Sequence, residues 1–206
     1  MTENQNQDKS RHITIDGDFT NVFTHEDYIA LINSTDTTGI ILRAHLILED
    51  FLNIWCSKVT GTDDLFDGKS FIGFKNKLNI AKNLGLNQQF YDVLDKFNGI
   101  RNKYSHRRQY TLEQNSFDSI ISLVDLLPPI DRFLPCKKLS LIVGGIYHET
   151  GEQVEREFLW KDADLNKQIV MLFVNLMMKF LVWMQSEFTR RNISYTLVSD
   201  FLSQSK

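Results

Sequence analysis

Apolar residues recur at three-to-four spacing along most of this chain, and each run is closed by a capping or breaking residue, a pattern that predicts a mainly helical protein. Residues 24–32 open with Thr24 as an N-cap and an acidic first turn, Glu26-Asp27, suited to the positive end of a helix dipole. Residues 38–58 carry Ile41, Leu42, His45, Leu48, Leu52 and Trp55 on one wide face. Residues 63–69 read as an acidic loop. Ser70 then caps a third helix over 71–84, with Phe71, Phe74, Leu78 and Ala81 on its inner face and Gly85 as its stop. A fourth helix over 87–107 has the stripe Phe90, Val93, Leu94, Phe97, Ile100 and Tyr104, and a fifth over 112–127 runs into Pro128-Pro129.

The period then changes. Residues 138–147 are β-branched and apolar, 149–152 read as a turn, and 153–160 alternate through Val154, Arg156, Phe158 and Trp160. That is the signature of a β-hairpin, here a small insert over 138–160. A long apolar helix over about 165–190 closes the chain. Within it, residues 169–184 hold only Asn175 and Lys179 as polar positions. Sixteen residues with a lysine well inside fall short of the ~20 needed to span a bilayer, so this segment reads as a core or partner-shared helix rather than a membrane span. The expectation is one domain over 21–206, preceded by a polar, disordered or extended lead-in over 1–20, with no membrane contact.

Composition narrows the function classes. The 206 residues carry a formal net charge of -3, which excludes a generally basic nucleic-acid coat, so any anion site must be a local patch. Cys56 and Cys136 sit in unrelated segments and read as two buried thiols, and the absence of an apolar leader near Met1 points to a cytoplasmic chain. Gly68-Lys69-Ser70 imitates part of a phosphate-binding loop, but the nearest upstream glycine, Gly61, is at the wrong spacing and no strand precedes it. Asp63, Asp64 and Asp67 lack the alternating oxygens and late glutamate of a calcium loop. The five histidines are scattered without metal-ligand spacing, and His45 reads as a satisfied or half-buried core imidazole. No metal and no cofactor is expected.

The run Arg101-Asn102-Lys103-Tyr104-Ser105-His106 stands apart. At about 100° per residue, Arg101 falls within the apolar sector of the fourth helix. A guanidinium keeps its charge, so something must meet it: a carboxylate such as Glu49, a second subunit, a bound anion, or a breach in the core through which it snorkels. Asn102, Ser105, His106 and Gln109 form a neighbouring polar stripe. Lys103, Arg107 and Arg108 add positive charge in a chain that is acidic overall, and they are candidate phosphate-binding residues.

The segment 70–106, SFIGFKNKLNIAKNLGLNQQFYDVLDKFNGIRNKYSH, resembles the HEPN superfamily. The common features are a lysine-bearing helix, a Leu-Gly-Leu stop, and a helix ending in Arg, a polar residue and a His a few positions on. The resemblance is nearest to the branch of mannitol operon repressor-like proteins and covers about residues 38–129. It implies a HEPN-type helical bundle that forms a homodimer, with two copies of the motif lining one cleft. It further implies a metal-independent endoribonuclease that leaves 2′,3′-cyclic phosphate ends, Arg101 binding the phosphate, His106 transferring protons and Asn102 orienting the site. Arg101 and His106 lie about 140° apart round a regular helix, so a helix ending near His106 or a site shared by two subunits is needed. Where some family toxins carry a tyrosine two residues after the histidine, this chain has Arg108.

Two further readings stay open at this point. One is a non-catalytic regulatory or protein-binding dimer that keeps the motif as an interface or anion site, with an antitoxin or regulatory protein as partner. The other is an RNA- or nucleotide-binding sensor. No helix-turn-helix pattern supports major-groove readout of DNA.

Overall fold

The computed structural model describes residues 23–68, 71–107, 109–129, 132–146, 150–151 and 153–197. The lead-in over 1–20, Ser70 and Arg108 lie outside these residues. Among them are six α-helices: α1 (His25–Asn33), α2 (Thr37–Thr60), α3 (Phe74–Asn83), α4 (Gln88–His106), α5 (Gln114–Asp125) and α6 (Leu165–Arg190). One antiparallel hairpin, β1 (Ser140–Ile146) and β2 (Gln153–Leu159), stands between α5 and α6. The mainly helical architecture with a small hairpin is the one the periodicity predicts, and the hairpin and α6 fall within the predicted bounds or match them.

Local chemistry explains the boundaries. Thr24 and Asp27 form a reciprocal capping box on α1. The Asp36 carboxylate accepts from the Thr38 and Gly39 N–H groups at the start of α2, and the Asn87 side chain accepts from Gln89 N–H at the start of α4. The third helix departs from the sequence expectation. It starts three residues later than predicted, after Gly73, and Phe71 is 94% exposed instead of packing on the inner face. The apolar spacing of Phe71 and Phe74 imitates a helical face, but Gly73 has extended backbone and interrupts it.

Helix α6 is the centre of the molecule. It is the one helix among the described residues long and apolar enough to cross a bilayer, and 78% of its most apolar 18-residue window is buried within the fold. Helices α2 and α5, the N-terminal α1 and the base of the hairpin all pack on it. Trp55, Phe90, Phe180, Trp183 and Phe188 stack in one aromatic cluster at ring separations of 4.8–6.1 Å. Lys179 is 1% exposed, and its Nζ donates to the Val124 carbonyl at 2.8 Å. That carbonyl belongs to the last turn of α5, where helix carbonyls have no partner within the helix and the dipole favours a cation.

The hairpin is tied down at its base. Trp160 N–H donates to the Leu139 carbonyl at 3.2 Å, the Trp160 ring stacks on Phe117 of α5, and Gln168 of α6 donates to the Trp160 carbonyl at 3.0 Å. Cys56 and Cys136 are free and buried, as expected, and burial pushes both thiols up to about 12.

The turn joining α3 to α4 depends on Gly85, which has φ of 95°. Leu86 N–H returns to the Ala81 carbonyl and Gly85 N–H to that of Lys82, the glycine-closed helix end that uses left-handed backbone. Arg191 reaches over from the end of α6, donating to the Leu84 carbonyl at 3.0 Å and covering the Trp55 ring at 4.8 Å. A Cβ at position 85 would meet Arg191 Nη2 at 2.5 Å. Gly85→Ala is therefore expected to lower the unfolding free energy by about 1–2 kcal/mol, measured by urea denaturation.

Candidate functional site: the Arg101 cleft

Helix α4 buries the stripe predicted for it: Phe90, Val93, Leu94, Phe97, Ile100 and Tyr104 all face the core. Arg101 follows this face to its margin and is half-buried. Its Nη1 donates to the adjacent Asn102 Oδ1 at 3.0 Å, while its Nε is buried without a partner. Among the described residues no carboxylate forms an ion pair with it.

Glu49, the expected carboxylate partner, is engaged elsewhere. It pairs with Lys77 of α3 at 2.8 Å, with both side chains largely buried. The reason is the packing of α3 on α2, which brings the Lys77 ammonium to Glu49. Glu49 nonetheless lines the same cleft as Arg101.

Helices α2, α3 and α4 together enclose this cleft, about 270 Å³ in volume. His45 and Glu49 come from α2, one turn apart; Phe74 comes from α3; Asn98, Arg101 and Asn102 come from α4. Exposed Phe71 stands on the rim. Glu49 is neutralised by Lys77, and Lys75 by Asp95 at 2.7 Å. The guanidinium of Arg101 is thus the uncompensated charge, and the cleft is locally positive in an acidic chain.

His45 is the member that sequence reasoning passed over as a core imidazole. It is buried, as that reading held, with the Phe74 ring 4.3 Å from its own and its Nε2 3.2 Å from Asn98 Oδ1. An amide oxygen only accepts, so Nε2 carries the proton and Nδ1 is left as an unprotonated acceptor, buried and without a partner. Burial, seconded by the charge of Arg101, pushes the His45 pKa down to about 4, against weaker opposing effects of Asn98 and Glu49. The imidazole is neutral at physiological pH. Its position four residues from Glu49 on α2 is visible in the sequence, but which neighbouring helix that face meets is not.

The other candidate residues separate. His106 is the last residue of α4 and is exposed, as is Ser105; within one chain His106 does not line the Arg101 cleft. Exposed Arg107 caps the helix, its N–H returning to the Lys103 carbonyl at 3.0 Å. The helix ends there, so Gln109 does not extend the polar stripe of Asn102, Ser105 and His106. Lys103 and Arg107 flank Tyr110, at 5.6 and 6.0 Å from its ring, and Tyr110 packs edge-on against Tyr104. The motif therefore resolves into three groups: Arg101 and Asn102 in the cleft, Lys103 and Arg107 around Tyr110, and Ser105 and His106 facing outward. Among the described residues no group of three or more His, Cys, Asp or Glu side chains could hold a metal ion.

No family model, curated protein or solved structure matches this chain.

The depressed pKa of His45 carries a stability consequence. The unfolded chain binds a proton at this residue near pH 6.5, whereas the folded chain resists it until about pH 4. Stability from this group is therefore complete above pH 6.5 and is lost as pH falls towards 4, by up to roughly 2–3 kcal/mol. Urea denaturation at stepped pH should show this slope in the wild type and lose it in His45→Gln.

Proposed function

We propose that the chain is a metal-independent endoribonuclease, acting in the cytoplasm as a homodimer in a toxin or phage-defence role, as its resemblance to the HEPN superfamily implies. The observation that carries this reading is the Arg101 guanidinium, drawn half into the core with a buried, unpartnered Nε and no carboxylate on it among the described residues. Leaving a charged donor unsatisfied costs stability, and a phosphate oxygen is the ligand that a guanidinium fork fits best.

In this mechanism Arg101 holds the scissile phosphate and stabilises the charge that develops on it. The ribose 2′-hydroxyl attacks the adjacent phosphorus, its proton passes to a base, and the 5′-oxygen of the next nucleotide leaves with a proton, giving a 2′,3′-cyclic phosphate. His106 is the proton-transfer residue, an imidazole being able both to accept and to donate a proton. Since His106 faces outward at the end of α4, it serves the Arg101 cleft of a second copy. Asn102 orients the guanidinium. Lys103, Ser105 and Arg107 line the path of the strand.

A second reading rests on one specific observation: His106 lies outside the Arg101 cleft within a single chain. If the second copy does not supply it, the cleft remains an anion or partner-binding site of a non-catalytic regulatory dimer of the mannitol-repressor-like kind.

The two readings separate in a cleavage assay on structured and unstructured RNA in EDTA, run beside sedimentation of the same samples. The nuclease reading expects a dimer whose cutting falls about 10²–10³-fold in Arg101→Ala and a similar amount in His106→Ala, without loss of the dimer. Equal traces for wild type and both variants would end it.

A further inference from the structure

Two buried polar atoms at the Arg101 cleft lack a partner, and they have opposite hydrogen-bonding senses. The Nε–H of Arg101 can only donate. The Nδ1 of His45 can only accept, because the ring proton is committed to Asn98 through Nε2. Both residues line the same cleft.

A phosphate or carbonyl oxygen would answer the guanidinium and leave the imidazole bare, and an ammonium would do the reverse. A hydroxyl answers both, since its oxygen accepts while its proton is donated. The Nη groups of Arg101 are the natural grip for a charged oxygen beside it. A ligand that sets a hydroxyl next to an anionic phosphate therefore matches the cleft, and a ribonucleotide chain repeats that arrangement at every residue.

We infer that His45 is a specificity-determining residue of this site, reading the ribose 2′-hydroxyl beside the phosphate held by Arg101 and so separating ribonucleotide from deoxyribonucleotide chains. The inference rests on the phosphate-binding role proposed for Arg101 and adds to it a residue from a different helix. The imidazole is held in place. It is 1% exposed, the Phe74 ring packs across it, and Asn98 fixes the tautomer. Remaining neutral down to about pH 4, it stays an acceptor through the physiological range and does not repel the guanidinium.

The test is equilibrium binding of three labelled single strands of one sequence: RNA, DNA, and RNA with 2′-fluoro in place of 2′-hydroxyl. The 2′-fluoro strand keeps the size and ring geometry of the ribose but cannot donate a hydrogen bond. The protein is the full chain carrying His106→Ala, which keeps the strand intact. RNA is expected to bind about five- to tenfold more tightly than the other two, the worth of one hydrogen bond made in a desolvated site. Adding His45→Phe should bring all three strands to the weaker level, and adding Arg101→Ala should weaken all three together.

Should His45→Phe fail to fold, ¹⁵N spectra of the histidine rings in the unmodified site decide the matter. The His45 Nδ1 resonance is expected to move on adding RNA and to stay in place with the 2′-fluoro strand. Equal affinity for RNA and 2′-fluoro RNA, or a preference that survives His45→Phe, overturns the role of His45 while leaving Arg101 as a phosphate site. Absence of binding to every strand overturns the Arg101 reading itself, and the His45 inference with it.

Discussion

Helix α6 is apolar nearly all round over residues 169–184, and such a helix is stable only when other elements enclose it. That constraint organises the rest of the molecule. Helix α2 lays its buried face along it, α5 covers another side, and the hairpin base closes the gap between α5 and α6 through Trp160 and Gln168. The buried ammonium of the helix, Lys179, is accommodated by a carbonyl at the end of α5, so this charge also fixes how two helices meet. Burial holds the Lys179 pKa below its usual value, opposed by Cys136 and Asp125. Lys179 therefore marks an internal junction, whereas Arg101 marks an opening.

The contrast between these two cations separates an enclosed charge from an open one. Both sit on apolar stripes. Lys179 is fully enclosed, and its ammonium donates to a backbone carbonyl. Arg101 is only half-enclosed, and its Nε finds no partner even though a carboxylate, Glu49, lines the same cleft. Lys77 holds that carboxylate. The packing of α3 against α2 thus leaves the guanidinium uncommitted, and an uncommitted buried donor costs the free protein stability that a ligand can restore.

Much of this was legible in the chain itself. Period-3.6 runs, the cap Thr24 and the stop at Gly85 located the helices, and alternation located the hairpin. The anomaly at Arg101 was visible because helical spacing puts it among Val93, Leu94, Phe97 and Tyr104. What stayed hidden depends on contacts between helices. Nothing local says that Lys77 rather than Arg101 takes Glu49, or that His45 of α2 faces Asn98 of α4, fifty-three residues away. The late start of α3 was missed for a local reason: Phe71 has the right spacing, but extended backbone at Gly73 separates it from the helix. The resemblance grouped His106 with Arg101, and their separation of about 140° round one helix was legible from their spacing.

Whether Arg101 is held at the edge of the core for a ligand rather than for the fold is tested most directly by Arg101→Met. Methionine keeps the length and apolar stem while removing the charge and the unpartnered Nε. Thermal unfolding should be followed for both proteins alone and with a saturating RNA oligonucleotide. The variant alone is expected to be more stable than the wild type, by about 1 kcal/mol, and RNA is expected to stabilise only the wild type. A variant less stable on its own, yet stabilised by RNA as fully as the wild type, would show that Arg101 serves the fold and would contradict the ligand role.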